Sequence, residues 1–263
     1  MKRTFVLLAL LLFAACATSP LGRRQLLMFS DAQLSGMGRT AFSEMRKATP
    51  LSSDARANRY VECVANAITS SLPGAAKQRW EVAVFNEDSA NAFALPGGYM
   101  GVHTGLLKVA ENQDQLATVI GHEVAHVLAK HPNERMSTTS LTQSGLQVAQ
   151  IAAGGSGGAA QKELFAVLGM GAQVGILLPF SRAQESEADL LGLDLMASAG
   201  FDPKQSLELW RNMAKAAGAK PPEFLSTHPS GSTRLQTLST RMARANKLSS
   251  DARARGRRPR CTP

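Results

Sequence analysis

The 263-residue sequence is poor in cysteine, in aromatic residues and in long apolar runs. Three cysteines exclude a disulfide-dense miniprotein and a Cys-rich zinc module. An aromatic content of 5% excludes a repeated aromatic platform for single-stranded nucleic acid. No stretch reaches the roughly 18 uninterrupted apolar residues of a membrane span, so no transmembrane helix is expected. What is present is a hydrophobic fraction of 44%, ordinary for a folded chain, and length for one sizeable domain. Lys+Arg outnumber Asp+Glu by 29 to 20, a formal net charge of +9. Such a balance suits nucleic acid or an anionic membrane, depending on where the charges sit.

Residues 1–15 read as an address. Lys2 and Arg3 form a basic start, Phe5 to Phe13 an apolar run too short to span a bilayer, and Ala14 and Ala15 precede Cys16. The layout resembles a bacterial lipoprotein signal, in which the Cys is lipidated and becomes the mature N-terminus; Phe13 stands where Leu is usual. Thr18 rather than Asp lies two residues after Cys16, which by the same resemblance favours outer-membrane sorting. Residues 16–30 are expected to be a tether. Export implies an oxidising compartment, where Cys63 and Cys261 are candidates for a disulfide.

The remainder reads as one mostly helical α+β domain over 31–245. Residues 31–72 carry helical spacing at Val61, Val64, Ile68 and Leu72. Trp80 to Phe85 alternates as a strand. A Pro-Gly-Gly turn precedes a second strand at Tyr99 to Val102, paired to the first in a small antiparallel sheet. Helices are expected over 112–130, from Ser181 to Gly200, near 203–217 and near 231–246. GGSGG at 154–158 reads as a loop between two helices.

Residues 122–126 are His-Glu-Val-Ala-His. Four residues apart on a helix, His122 and His126 share a face and can hold one tetrahedral Zn²⁺. Glu123 sits beside the metal, where it can take a proton from a water that zinc acidifies. Downstream, Glu185 and Asp189 are also four apart, suiting Glu185 as third ligand and Asp189 as acceptor for a ligand N–H. Glu187 lies about 200° round from Glu185 and is expected to point away. His103 and His131 have no companion at useful spacing.

HEVAH, the ESEAD segment at 185–189, NAFALPGGY at 91–99 and the THP segment leading to Arg234 resemble, in order, zinc metallopeptidases of the HtpX and CAAX prenyl protease type. The closest likeness is to periplasmic lipoprotein members such as LoiP and YcaL, over roughly residues 30–245. The resemblance implies a zincin-type (gluzincin) fold, ligands His122, His126 and Glu185, Glu123 as base and Asp189 as support. It implies a substrate-binding strand fed by Asn91, Ala92, Phe93, Pro96, Gly97 and Gly98. It places His228 and Arg234 at the active site, as oxyanion donors or, for His228, as a ligand that holds the enzyme latent. The membrane bundle and helical repeats of some relatives are missing from the sequence.

The implied activity is a zinc endopeptidase on the periplasmic face of the outer membrane, cleaving misfolded or misassembled envelope proteins. The alternative is an assembly factor that binds outer-membrane clients with proteolysis latent. Lys247, Arg253, Arg255, Arg257, Arg258 and Arg260 against Asp251 put more than half of the net charge in residues 246–263. The basic character therefore belongs to a short tail, expected to be flexible and to meet anionic lipid or lipopolysaccharide. With no nucleic-acid motif in the chain, nucleic acid is not an expected partner.

Overall fold

A computed structural model describes residues 16–74, 79–152, 179–216, 222–228 and 233–263. The signal at 1–15 and the loop at 154–158 lie outside the described residues. Two short strands come first, β1 (Cys16–Thr18) and β2 (Arg24–Leu26), paired antiparallel. Helices α1 (Asp31–Ala48) and α2 (Ala55–Thr69) follow. The helical stretch expected over 31–72 is thus made of two helices. Pro50 lacks an N–H and forces Thr49 into extended backbone (φ −123°, ψ 125°). Asp54 then restarts the chain by accepting from the N–H groups of Arg56 and Ala57.

The central sheet holds β3 (Glu81–Phe85), β4 (Ala92–Leu95) and β5 (Tyr99–His103) in the order β3-β5-β4. β4 and β5 form the antiparallel hairpin, while β3 runs parallel to β5, so the sheet is mixed. Pro96 and Gly97 occupy the middle of the turn, which closes with Gly98 N–H donating to Leu95 O at 3.3 Å. Gly97 has φ +95°, which the second central position of a type II turn requires. β4 is left as an edge strand.

Helices α3 (Gln113–Leu128), α4 (His131–Ala152), α5 (Arg182–Ser198), α6 (Gln205–Ala216), α7 (Glu223–Thr227) and α8 (Arg234–Ala254) complete the described fold. α3 starts at Asn112, whose side chain accepts from two backbone N–H groups, and is buried on every side from Gln115 to His126. α5 starts at Ser181 with a reciprocal capping box to Gln184. The two helices meet at glycines: a Cβ on Gly192 would stand 2.7 Å from His122 N. Lys130, with φ +55°, turns the chain sharply between α3 and α4.

Two segments expected to be loose are packed. The tether residue Gln25 is buried, and its amide donates to Ala129 O at 2.6 Å. The last helix runs past the expected 246 to Ala254. Beyond it Arg257 donates to Ser198 O at 3.0 Å, and Cys261 is buried and disulfide-bonded to Cys63, 198 residues away. The basic segment is therefore fixed to α2 by the disulfide and to the end of α5, where the Ser198 carbonyl accepts the Arg257 guanidinium.

A crosslink over so long a loop restricts the unfolded chain strongly. Cys261→Ser should lower stability by about 2–5 kcal/mol in denaturant unfolding. Reductant should shift the parent protein comparably and leave the variant unmoved.

Candidate metal centre

His122 and His126 project from the buried helix α3, Glu185 from the first turn of α5, and His228 from the end of α7. All four are buried, and one donor atom from each lies within 4.8 Å of every other. His122 Nε2 and His126 Nε2 are 3.0 Å apart. Glu185 Oε2 is 3.5 Å from His122 Nε2, and Glu185 Oε1 is 3.4 Å from His126 Nε2. His228 presents Nδ1, 3.0 Å from Glu185 Oε1 and 3.3 Å from His122 Nε2. Tetrahedral zinc bonds of about 2.0–2.1 Å imply ligand separations of roughly 3.3 Å. The donor set therefore fits a single divalent ion in both chemistry and spacing.

The support around these donors is specific. Asp189 Oδ1 lies 3.0 Å from His122 Nδ1, off the line of a good hydrogen bond. Arg234 donates from Nε to Asp189 Oδ2 at 2.7 Å and from Nη2 to Glu185 Oε2 at 2.6 Å. Its guanidinium sits 3.9 Å from the centre of the Trp210 ring. Arg234 is thus committed to the two carboxylates rather than offered to substrate. Phe180 stacks on His126 at 3.8 Å and Phe224 on His228 at 4.3 Å. His131 is fully buried with Nδ1 2.9 Å from His126 Nδ1. Glu187 points away from the donor cluster, as its helical angle requires, but it is buried against His131.

Phe180, Phe224, Trp210 and His131 carry no spacing signal that marks them.

Glu123 is buried beside the cluster, its Oε1 3.4 Å from His228 Nε2 and without a protein hydrogen-bond partner. Burial raises the Glu123 carboxyl above its usual range, against the pull of His228 and His122. The backbone of Ala94 bonds the same carboxylate. Glu123 therefore faces a cleft of about 190 Å³ lined by Asn91 to Pro96, Arg135, Phe180 and His228. Gly97 and Gly98 lie beyond it in the hairpin turn. A larger hollow of about 930 Å³ around Trp80, Gly97 and Lys130 contains none of the clustered donors. His103 bonds Ser89 Oγ at 2.7 Å. Cys16 opens β1.

Burial disfavours a charged His122, but the adjoining carboxylates of Asp189 and Glu185 outweigh it and hold the imidazole raised to about 9. Below that pH an ion must displace the proton. Apparent metal affinity should therefore fall about tenfold per unit as pH drops below about 9, with a proton released into indicator dye. Arg234→Ala leaves two buried carboxylates without their cation. It should destabilise the metal-free protein by about 3–5 kcal/mol in denaturant unfolding, and metal should recover part of the loss.

Residues 55–242 match Peptidase family M48. The mitochondrial metalloendopeptidase OMA1 of Schizosaccharomyces pombe is 37% identical over 181 residues, covering 68% of this chain and 51% of that protein. The beta-barrel assembly-enhancing protease of Yersinia pestis is 30% identical over 218 residues, 81% of this chain and 44% of that protein. Its counterpart in Escherichia coli K12 is 29% identical over 205 residues, 76% and 42%. The chain spans about half or less of the length of these relatives. These matches support the family as a whole and do not single out the HtpX and CAAX prenyl protease type or the LoiP and YcaL group within it. With two histidines and a glutamate converging from two helices and a match over most of its length, the chain belongs to Peptidase family M48.

Proposed function

We propose that the protein is a zinc-dependent endopeptidase of the cell envelope, acting on misfolded or misassembled periplasmic and outer-membrane proteins. The observation that carries this reading is the convergence of His122, His126 and Glu185 beside Glu123, at the open edge of β4. Zinc held by the three donors would supply Lewis acidity toward the scissile carbonyl and make water more acidic. Glu123 accepts the proton of the attacking water and delivers it to the leaving amide nitrogen. Its raised pKa brings that exchange closer to neutral pH. Arg234 holds Glu185 and Asp189 in place while Asp189 orients His122.

β4 supplies the substrate platform. His103 N–H donates to Asn91 O, so residues 91, 93 and 95 turn their backbone groups toward β5. The outward N–H groups of Ala92 and Ala94 are held by Asn91 Oδ1, at 2.9 Å, and by Glu123, so an extended peptide would add to their outward carbonyls, by backbone hydrogen bonds with little side-chain selectivity. His228 Nε2 lies beside Glu123, where its N–H can reach a developing oxyanion once Nδ1 leaves the cluster.

The N-terminal signal and Cys16 support export and lipid anchoring at the outer membrane, in keeping with the name of the beta-barrel assembly-enhancing protease relatives. OMA1 relatives are mitochondrial, so the compartment rests on this chain's own N-terminal residues. Among the described residues no helix is long and apolar enough to cross a membrane. The exposed Arg255, Arg257, Arg258 and Arg260 suit anionic lipid or lipopolysaccharide phosphate at such an anchor.

A second reading, client binding with proteolysis latent, is favoured by one observation: His228 Nδ1 lies within the donor cluster, where it would take the fourth position that a catalytic site keeps open. Glu123→Gln should retain metal and abolish casein digestion; retained digestion refutes the mechanism. If the same variant restores envelope integrity in a deletion strain, binding is the principal role.

A further inference from the structure

The segment between β1 and β2 lies against the metal centre without touching any of its four donors. Leu21 N–H donates to Glu187 Oε1 at 3.2 Å, and Arg23 Nε donates to Glu187 Oε2 at 2.9 Å. The Ser19 side chain bonds the same carboxylate. Arg23 also forks onto Glu134, through Nη1 and, at 2.6 Å, through Nη2. Gln184 and Gln25 amides complete the shell of Glu134 at 2.8 and 3.2 Å. Five donor contacts therefore hold a strap that the sequence suggested was a loose tether.

Glu187 in turn touches His131 Nε2 at 3.2 Å, and His131 Nδ1 lies 2.9 Å from His126 Nδ1. The protons along this line can be ordered by elimination. His126 gives the lone pair of Nε2 to the donor cluster, so its proton sits on Nδ1 and is donated to His131 Nδ1. The proton of His131 then sits on Nε2 and is donated to Glu187, which in its ionised form only accepts. Every link has one direction, and the last acceptor is anchored by the strap.

We propose that residues 19–23 act as positioning residues for the metal centre, fixing the orientation and tautomer of His126 through Glu187 and His131. The inference rests on the metal-centre reading above. His122 has its own carboxylate in Asp189 on α5, whereas the carboxylate that serves His126 is held from the N-terminal segment. Undocking the strap therefore loosens one ligand and spares the other. Partners of a ligating histidine commonly change metal affinity 10–100-fold when removed.

The test is zinc affinity of the mature full chain, measured by competition with a chromogenic chelator, with the visible spectrum of the Co²⁺-loaded protein as second readout. Arg23→Gln and Glu187→Gln are compared with the parent, each beside the thermal unfolding of its metal-free form. Glu187→Gln should bind zinc 10–100-fold more weakly and shift the Co²⁺ bands. Arg23→Gln, on the partly exposed strap, should keep the fold and weaken zinc several-fold, with Arg23→Lys recovering part of the loss. Arg23→Gln with parental zinc affinity and an unchanged Co²⁺ spectrum overturns the proposal, whether or not Glu187→Gln folds. A parent that binds neither metal overturns the metal-centre reading itself, a result distinct from variants that match a binding parent.

Discussion

The site depends on one backbone contact between two helices. At Gly121 and Gly192, α3 and α5 approach so closely that a Cβ on either would meet the other's backbone at 2.7–2.8 Å. His122 follows Gly121 directly, and Asp189 lies about one turn before Gly192. The close crossing is therefore what brings two imidazoles and two carboxylates together. A methyl group at either glycine forces the helices apart and lengthens the separations of Glu185 from His122 and His126. Packing α3 on all sides supplies the rigidity: a helix buried from Gln115 to His126 has no freedom to swing its histidines outward. The capped start of α5 at Ser181 sets where Glu185 begins its first turn.

Charge then has to be reconciled with burial. Glu123, Glu185, Glu187 and Asp189 are all buried within this small region. Isolated buried carboxylates would neutralise rather than stay ionised. Arg234 answers Glu185 and Asp189, Arg23 answers Glu187, and a divalent ion would answer what remains. The cation–π contact of Arg234 with Trp210 lets an arginine occupy so apolar a setting. Ligand geometry, helix packing and ion pairing are consequently one problem here, solved by the same few side chains.

The chemistry of the site was legible in the sequence because helical periodicity is local. His122 and His126 declare a shared face within five residues, with Glu123 beside it, and Glu185 and Asp189 share one again. The helical angle of Glu187 was also legible, since it does point away from the donors. Its partner was not, because Arg23 and Leu21 reach it across more than 160 residues. His131 was opaque for a related reason: a left-handed Lys130 folds α4 back onto α3, and lysine carries no signal for that conformation. The split between α1 and α2 was written in Thr49-Pro50 and in Asp54, yet apolar spacing on both sides hid it. The parallel pairing of β3 with β5 is a non-local choice that alternation alone does not encode. The tail reads as a charged run because composition cannot register carbonyls waiting on another helix.

The placement of His228 in the donor cluster bears on how such a centre would respond to inhibitors. A hydroxamate or phosphonate needs a vacant metal coordination site, and an imidazole of the same chain that took the fourth position would stand where the inhibitor must go. The apparent dissociation constant is then the intrinsic one divided by the fraction of molecules with His228 withdrawn. Potency would report the conformational balance of α7 as much as the quality of the chelating group. Compounds ranked by warhead strength alone would be compressed toward a common weak value, and those that also displace the Phe224 stack beneath His228 would stand apart.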